Sequence, residues 1–230
     1  MKTPLIALAV AVASTLIGCN KTASSALPAA SDHEIKNAAS GPPLPAQKTY
    51  NGPFGFAMGI SGTELMEQFN LKPVPSDPNL FDGPAPKPLD SIQEYMVLTS
   101  PKAGACRIVG MSKVAVVNGS GDQLKAEADR LADLMQIKYG KYTEKVDYIG
   151  QDVYRRNSQY WMLGMKEDSV AYAYEWAPKK GAAPLPNQLQ SIEISTAAPA
   201  LDSGYVAVKY TFTNFTECQN ERKASKAQSL

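Results

Sequence analysis

The sequence predicts an α+β fold, in which two main helices pack on one face of an antiparallel sheet or sheets. Two segments carry apolar residues at helical spacing, and each follows a polar capping pattern. Most other apolar segments alternate with period two and are separated by short polar turns, which is typical of antiparallel strands. The 230 residues, 44% of them hydrophobic, leave room for one well-buried domain or two small ones.

A short strand followed by a capped helix opens the predicted domain. We interpret residues 54–56 as the strand. Ser61 and Glu64 match a capping box, in which each side chain satisfies a free backbone amide at the start of a helix. Six of the 17 residues from 72 to 88 are proline. Because proline lacks the amide that a strand ladder needs, this segment is predicted to be a surface loop or hinge.

The rest of the domain reads as strands around one long helix. Residues 122–139 carry the strongest helical periodicity, with a second capping box at Ser120 and Gln123 and a glycine stop at Gly140. A four-residue polar turn at 166–169 predicts a hairpin between the strands on either side of it. The predicted strands are residues 92–99, 106–117, 159–165, 170–176, 191–196 and 204–215.

The first 18 residues have the layout of a secretory signal. Lys2 precedes 13 small or apolar residues at positions 5–17, followed by glycine and cysteine. As a helix this stretch would extend only about 20 Å, which is too short for a bilayer core of about 30 Å. Residues 1–18 are therefore predicted to be a leader that does not belong to the fold.

Leu16, Ile17, Gly18 and Cys19 resemble the lipobox of bacterial lipoproteins. The resemblance implies that Cys19 becomes an acylated amino terminus, so that the protein contacts the membrane through a lipid anchor. An ordinary signal with an incidental cysteine is the alternative. Asn20 follows, and by the same resemblance a residue other than Asp favours the outer membrane, with the protein facing the periplasm.

The mature chain is predicted to have three parts. Residues 19–48 are the lipidated cysteine and a flexible tether, since positions 20–48 hold seven Ala, four Ser and four Pro without apolar periodicity. Residues 49–218 are the α+β periplasmic domain, and residues 219–230 are a polar tail expected to fray. Without the leader, 22 basic side chains balance 22 acidic ones, which argues against a nucleic-acid partner.

Two cysteines remain once Cys19 is acylated. Cys106 and Cys218 would then form an even pair in an oxidising compartment, and we predict a disulfide between them. The bond would tie the middle of the domain to its end. Two unpaired, buried thiols are the alternative.

The domain lacks the residues of common catalytic and metal sites. The single histidine, His33, lies in the tether, so the domain has no imidazole to serve as a general base or zinc ligand. Phosphate-binding and dinucleotide-binding glycine motifs are absent. We therefore predict no enzymatic activity, no metal and no cofactor.

Paired carboxylates offer one enzymatic alternative, a hydrolase acting on peptidoglycan. Glycoside hydrolysis needs only two acids placed on either side of the bond. Two of the candidates, Glu167 and Asp168, fall in a predicted turn, where acids are favoured by solvation and turn geometry alone. The candidate acids are Glu144, Asp147, Asp152, Glu167 and Asp168.

Aromatic residues are concentrated in one part of the domain, with nine of 19 between positions 139 and 176. Tyr172, Tyr174 and Trp176 alternate with smaller residues and are predicted to form a buried strand face. Tyrosine beside arginine is enriched at binding hot spots, so the remaining aromatic segment is predicted to contact a protein partner. The predicted surface anchors are Tyr154, Arg155, Arg156 and Tyr160.

Two resemblances bear on function. Residues 54–61, with a Phe-Gly-Phe opening and a Gly-Ile-Ser close, resemble a segment of bacterial envelope proteins that include small lipoproteins of outer-membrane assembly. The general layout of lipobox, tether, single disulfide and missing catalytic set resembles periplasmic lipoprotein immunity proteins. We expect an inhibitor or immunity protein against an envelope-targeting effector. An accessory role in outer-membrane or cell-wall assembly is the alternative.

Overall fold

The computed structural model describes residues 50–179 and 185–227, and this part of the chain forms one antiparallel sheet of nine strands with five α-helices. The predicted α+β class is confirmed. The leader, Cys19 and the tether lie outside the described residues. The helices are α1 (Gly62–Phe69), α2 (Asp122–Tyr139), α3 (Asp152–Arg156), α4 (Trp161–Lys166) and α5 (Phe215–Ala227). The strands are β1 (Lys72–Val74), β2 (Asp77–Gly83), β3 (Ile92–Ser100), β4 (Gly104–Ser112), β5 (Ala115–Val116), β6 (Glu144–Ile149), β7 (Val170–Trp176), β8 (Leu189–Ala200) and β9 (Ser203–Phe212).

The sheet joins two meanders into a single layer. Its strand order is β1-β2-β3-β4-β9-β8-β7-β6, and the short β5 pairs with the start of β9. The first half begins with the short helix α1 and continues with strands β1–β4. The second half begins with the long helix α2 and contributes strands β6–β9. The halves meet where β4 pairs with β9, from Arg107 opposite Thr211 to Met111 opposite Ala207.

The core lies on the face of the sheet that α2 covers. A row of directly opposed residues crosses five strands, and all of its members are buried. Because side chains alternate along each strand, this row marks the inner face. Leu124, Ala128 and Leu131 of α2 are buried against it. The row consists of Val97, Ile108, Tyr210, Ile192 and Trp176.

The predicted long helix is confirmed, but its predicted capping box is wrong. Gly121 precedes α2 with φ of 65°, a left-handed conformation that glycine adopts without strain. The Ser120 hydroxyl donates to the Asp122 carboxylate, and Asn118 Oδ1 accepts from the Asp122 amide. At α1, Ser61 Oγ does accept from the Glu64 amide at 3.1 Å, as predicted.

Residues 54–56 form no strand. Pro53–Gly55 is a 3₁₀ turn, and Phe54 has φ of 51°. The ring of Phe54 packs edge-on against Tyr95 and Tyr210 at centroid distances of 4.9 and 5.3 Å. This contact with residues far along the chain stabilises a turn where the local pattern predicted an extended segment.

Much of the predicted proline loop is a hairpin. β1 lies at the edge of the sheet, where proline is tolerated because its missing amide breaks no hydrogen bond inside the sheet. Pro73 stands opposite Phe81, and β2 continues along β3 with Phe81 opposite Val97. The predicted loop is therefore confined to the residues between β2 and β3.

The predicted hairpin around residues 166–169 is wrong. Residues 158–166 form a 3₁₀ turn and α4, and the outer neighbour of β7 is β6. Trp161, Met162 and Met165 are buried at helical spacing beneath the sheet. A short apolar run is compatible with a strand or a buried helix, so periodicity alone could not distinguish them.

The predicted disulfide is present, and the chain after it is helical. Cys218 of α5 is bonded to Cys106 of β4, and both are fully buried. The residues predicted to fray continue α5 to Ala227. Arg222 forms a mostly buried ion pair with Asp77 of β2, so α5 is held against the sheet at a second point.

Candidate functional site

The exposed aromatic and basic side chains between β6 and α4 form the first candidate site. Tyr148 of β6 and Tyr160 are 56% and 43% exposed, and Val153 of α3 is 46% exposed. Arg155 and Arg156 are exposed on the same short helix. We call these five residues, Tyr148, Val153, Arg155, Arg156 and Tyr160, the β6–α3 patch. Tyr148 lies on the outer face of the edge strand, because its partner Ala171 alternates with the buried Tyr172, and the other four lie on α3 and just after it. It lies at an edge of the sheet, because β6 is the last strand in the order.

Hydrogen bonds restrain the two arginines of the patch. Arg155 donates to the Ile149 carbonyl at 2.8 Å, which ties α3 to the end of β6. Its other terminal nitrogen lies 3.0 Å from Asp152, and Arg156 lies 3.3 Å from the same carboxylate. Exposed ion pairs of this kind contribute little to stability, but together they limit the motion of both guanidinium groups.

Three of the four predicted anchors are exposed, and Tyr154 is not. The Tyr154 side chain is 5% exposed, and its hydroxyl donates to the Glu167 carboxylate. Its ring lies so close to Gly164 that a Cβ there would come within 2.9 Å of it. Tyr154 therefore fixes α3 against α4, and the prediction that it lies at the surface is wrong. The sequence showed no helix here, so neighbouring residues could not be assigned to opposite faces.

A second polar cluster joins α2 to the sheet. The hydroxyls of Tyr172 and Tyr174 donate to Oδ1 of Asp129 at 2.6 and 2.5 Å. Lys145 of β6 lies 3.6 Å from the same oxygen and stands over both rings, 4.8 and 4.9 Å from their centroids. The buried strand face predicted for Tyr172, Tyr174 and Trp176 is confirmed. Asp129 and Lys145 carried no sequence signal, since a charged residue at either position is equally typical of a solvent-facing helix surface or edge strand.

Protonation in this cluster follows from burial and hydrogen bonding. Burial acts to raise the pKa of Asp129, but the two tyrosine hydroxyls and Lys145 outweigh it and hold that pKa below its ordinary value. Burial, followed by the hydrogen bond to Asp129, raises the pKa of Tyr172 and of Tyr174. At neutral pH a carboxylate therefore accepts from two neutral phenols, which suits a structural clamp between α2 and β7.

The candidate acids for hydrolysis lie on separate elements, and several of them form contacts that stabilise the fold. Glu144 and Asp147 lie on the edge strand β6, and Glu144 stands opposite Glu175. Asp152 is paired with two arginines, and Glu167 accepts from Tyr154. Asp168 sits in a turn with φ of 55°. In the described ranges, no three His, Cys, Asp or Glu side chains are placed to hold a metal ion.

Comparison with known proteins adds no assignment to these sites. No protein-family model, curated protein or solved structure matches this chain. Within residues 50–179 and 185–227, none of the helices combines the length and apolar character required to cross a membrane.

Proposed function

We propose that this protein is a non-enzymatic, lipid-anchored binding protein of the bacterial envelope. Cys19 would hold it in the outer membrane, and the α+β domain would face the periplasm. There it would act as an inhibitor or immunity protein that neutralises an effector attacking the envelope. The observation that carries this proposal is the β6–α3 patch, a set of exposed aromatic and arginine side chains on an ordered edge of the sheet.

The chemistry of the patch suits a protein partner. Tyrosine and arginine are enriched among residues that dominate interface energies, because they bury large areas while their polar ends still find partners. Tyr148 and Tyr160 offer half-exposed rings, and Arg156 is 78% exposed on its side chain. A typical interface covers about 800 Å² on each partner, so flanking residues of β6 and α3 would complete it.

A lipid anchor would serve this role by holding the inhibitor at the membrane. Two or more acyl chains give stable membrane attachment, whereas one chain is marginal. An inhibitor held at the membrane meets an incoming effector before that effector reaches its target. Mass spectrometry of the mature amino terminus tests this part of the proposal. An unacylated terminus, or a chain that retains residues 1–18, would refute the anchor.

The patch is tested by paired variants of the full-length protein. Arg156→Glu combined with Tyr160→Ala reverses one charge and removes one exposed ring. Lys223→Glu combined with Leu201→Ala reverses one charge on α5 and removes one exposed apolar side chain in the β8–β9 turn. Loss of two hot-spot contacts should weaken partner binding by about 30-fold or more, and the control pair should bind as the wild type does.

The biological readout is survival in mixed culture. A deletion strain should grow normally alone and should be killed by sister or rival cells that deliver the effector. The wild type and the control pair should restore protection, and the patch pair should not. Equal protection by the patch pair would refute the role of the patch. Envelope leakage of the deletion strain in pure culture would instead favour an accessory role in envelope assembly.

A further inference from the structure

A cavity of about 280 Å³ lies between the second half of α2 and the chain that precedes α1. Its walls are mainly apolar and come from four separate parts of the sequence. This volume is just below the usual 300–1,000 Å³ of ligand pockets, so the occupant would be small. The main lining side chains are Phe54, Leu131, Leu134, Met135, Tyr139 and Tyr210.

One wall is held in a strained conformation. Phe54 has φ of 51° and ψ of 17°, a left-handed conformation that bulky residues rarely adopt. The adjacent loop is fixed as well, because the Tyr95 hydroxyl accepts from the Leu89 amide at 2.8 Å. Strain of this kind persists only where the surroundings impose it, and it is found most often at binding and catalytic sites.

One residue of the cavity wall, Tyr139, carries a polar group without a hydrogen-bond partner among the described residues. The hydroxyl of Tyr139 is buried and has no hydrogen-bond partner within the described part of the chain. Burial raises the pKa of Tyr139 to about 12, so the phenol remains a neutral donor at physiological pH. Buried polar groups are nearly always hydrogen-bonded. Because this hydroxyl is fully enclosed, the Tyr139 side chain has to shift before an oxygen atom of a ligand in the cavity can accept from it.

The rim of the cavity is positively charged. Lys87 and Lys138 line it, and no Asp or Glu does. Lys87 Nζ donates to the Tyr50 carbonyl at 3.1 Å, and Lys138 Nζ lies 5.2 Å from the ring centroid of Tyr139. In the described ranges neither lysine is paired with a carboxylate. The rim therefore favours an anionic group at the mouth of an apolar space.

We propose that this cavity binds a small amphiphilic carboxylate of the medium-chain fatty-acid class. The hydrocarbon body occupies the space between Leu131, Leu134 and Phe54. The carboxylate lies at the rim beside Lys87 and Lys138, and the Tyr139 side chain shifts on binding so that its hydroxyl donates to one carboxylate oxygen. Charge complementarity selects this occupant over a neutral or cationic amphiphile of the same length.

The test uses the full-length protein in phosphatidylcholine nanodiscs and sodium octanoate as the probe. Isothermal titration calorimetry, after subtraction of empty nanodiscs, should show saturable binding with a dissociation constant below about 10 mM. Leu134→Trp should fill the mouth of the cavity and weaken binding at least about tenfold. Ile137→Trp is the matched control, since Ile137 lies on the same helix, is 85% exposed and does not line the cavity.

Two further comparisons test the polar contacts. Octanol should bind about threefold to tenfold more weakly than octanoate, because it carries no charge for the lysines. Tyr139→Phe should weaken octanoate binding about fivefold through the loss of one hydrogen bond. Retention of octanoate binding in nanodiscs that contain anionic phosphatidylglycerol would support a free carboxylate as the occupant.

Four results would overturn the proposal. These are the absence of saturable octanoate binding, equal affinity of the wild type and Leu134→Trp, octanol binding as tight as octanoate, and loss of octanoate binding in phosphatidylglycerol nanodiscs. The last result would mean that a membrane lipid occupies the cavity. Equal affinity of Tyr139→Phe would refute the hydrogen bond assigned to the hydroxyl.

Discussion

Removing the Cys106–Cys218 bond should lower the free energy of unfolding by about 3–5 kcal/mol. The two residues are 112 positions apart, so the bond closes more than half of the domain into one loop. The chain-entropy relation gives about 4.7 kcal/mol for a loop of this length, as an upper value. The native fold should survive, because Arg222 still holds α5 to β2 and Glu221 still accepts from the Lys102 amide at 2.9 Å.

The assay is urea denaturation of the wild type and of the double variant Cys106→Ala/Cys218→Ala. With a slope of about 2 kcal/mol/M, the midpoint should fall by about 2 M. Reductant supplies the control, since dithiothreitol should lower the midpoint of the wild type and leave the variant unchanged. A stability loss below about 1 kcal/mol, or a wild type insensitive to reductant, would refute the reasoning.

Two further predictions concern charged groups. The lowered pKa of Asp129 makes its carboxylate stabilising above the unfolded value near 3.8, and this stability is lost as the pH falls through the folded pKa. The stability difference between the wild type and Asp129→Asn, measured by urea midpoints at pH 7 and pH 3, should therefore shrink on acidification, and a constant difference would contradict the assignment. Arg222→Ala should cost about 1.5–3 kcal/mol by breaking a mostly buried ion pair. The exposed Lys223→Ala should stay within about 0.5 kcal/mol in the same thermal or urea melts, and equal losses in both variants would show that the ion pair is unimportant.

Elements with a long, regular apolar pattern were predictable from the sequence. α2 buries Leu124, Ala128 and Leu131 at helical spacing. β9 buries Val206 and Tyr210, which share one face because side chains alternate along a strand. In both cases the pattern covers enough residues to exclude the other kind of structure. Burial on one face then follows directly from the backbone geometry.

Short segments were not predictable, because contacts from elsewhere in the chain decided them. Residues 158–166 fold as a turn and helix beneath β7 and β8, although their apolar run also fits a strand. Phe54 adopts a turn because its ring packs on Tyr95 and Tyr210. Pro73 of β1 is accommodated because β1 occupies the edge of the sheet.

The predicted surface anchors show the same difference between features set by local sequence and features set by distant contacts. Arg155, Arg156 and Tyr160 could be assigned to the surface from their polarity, and they are exposed. Tyr154 was misplaced because its environment depends on Gly164 and Glu167 across the α3–α4 contact.

The sequence by itself determined the α+β class, the long helix, the inward face of β7 and β9, and the pair of cysteines available for a disulfide. Each of these depends on local spacing or on simple counts of residues. Only the tertiary structure decided that the two meanders share one sheet through β4 and β9, that Asp129 clamps two tyrosines, and that a cavity opens beside α2. Those features join residues dozens of positions apart. Their energies come from packing and from electrostatic contacts that exist only once the chain is folded, so no local pattern encodes them.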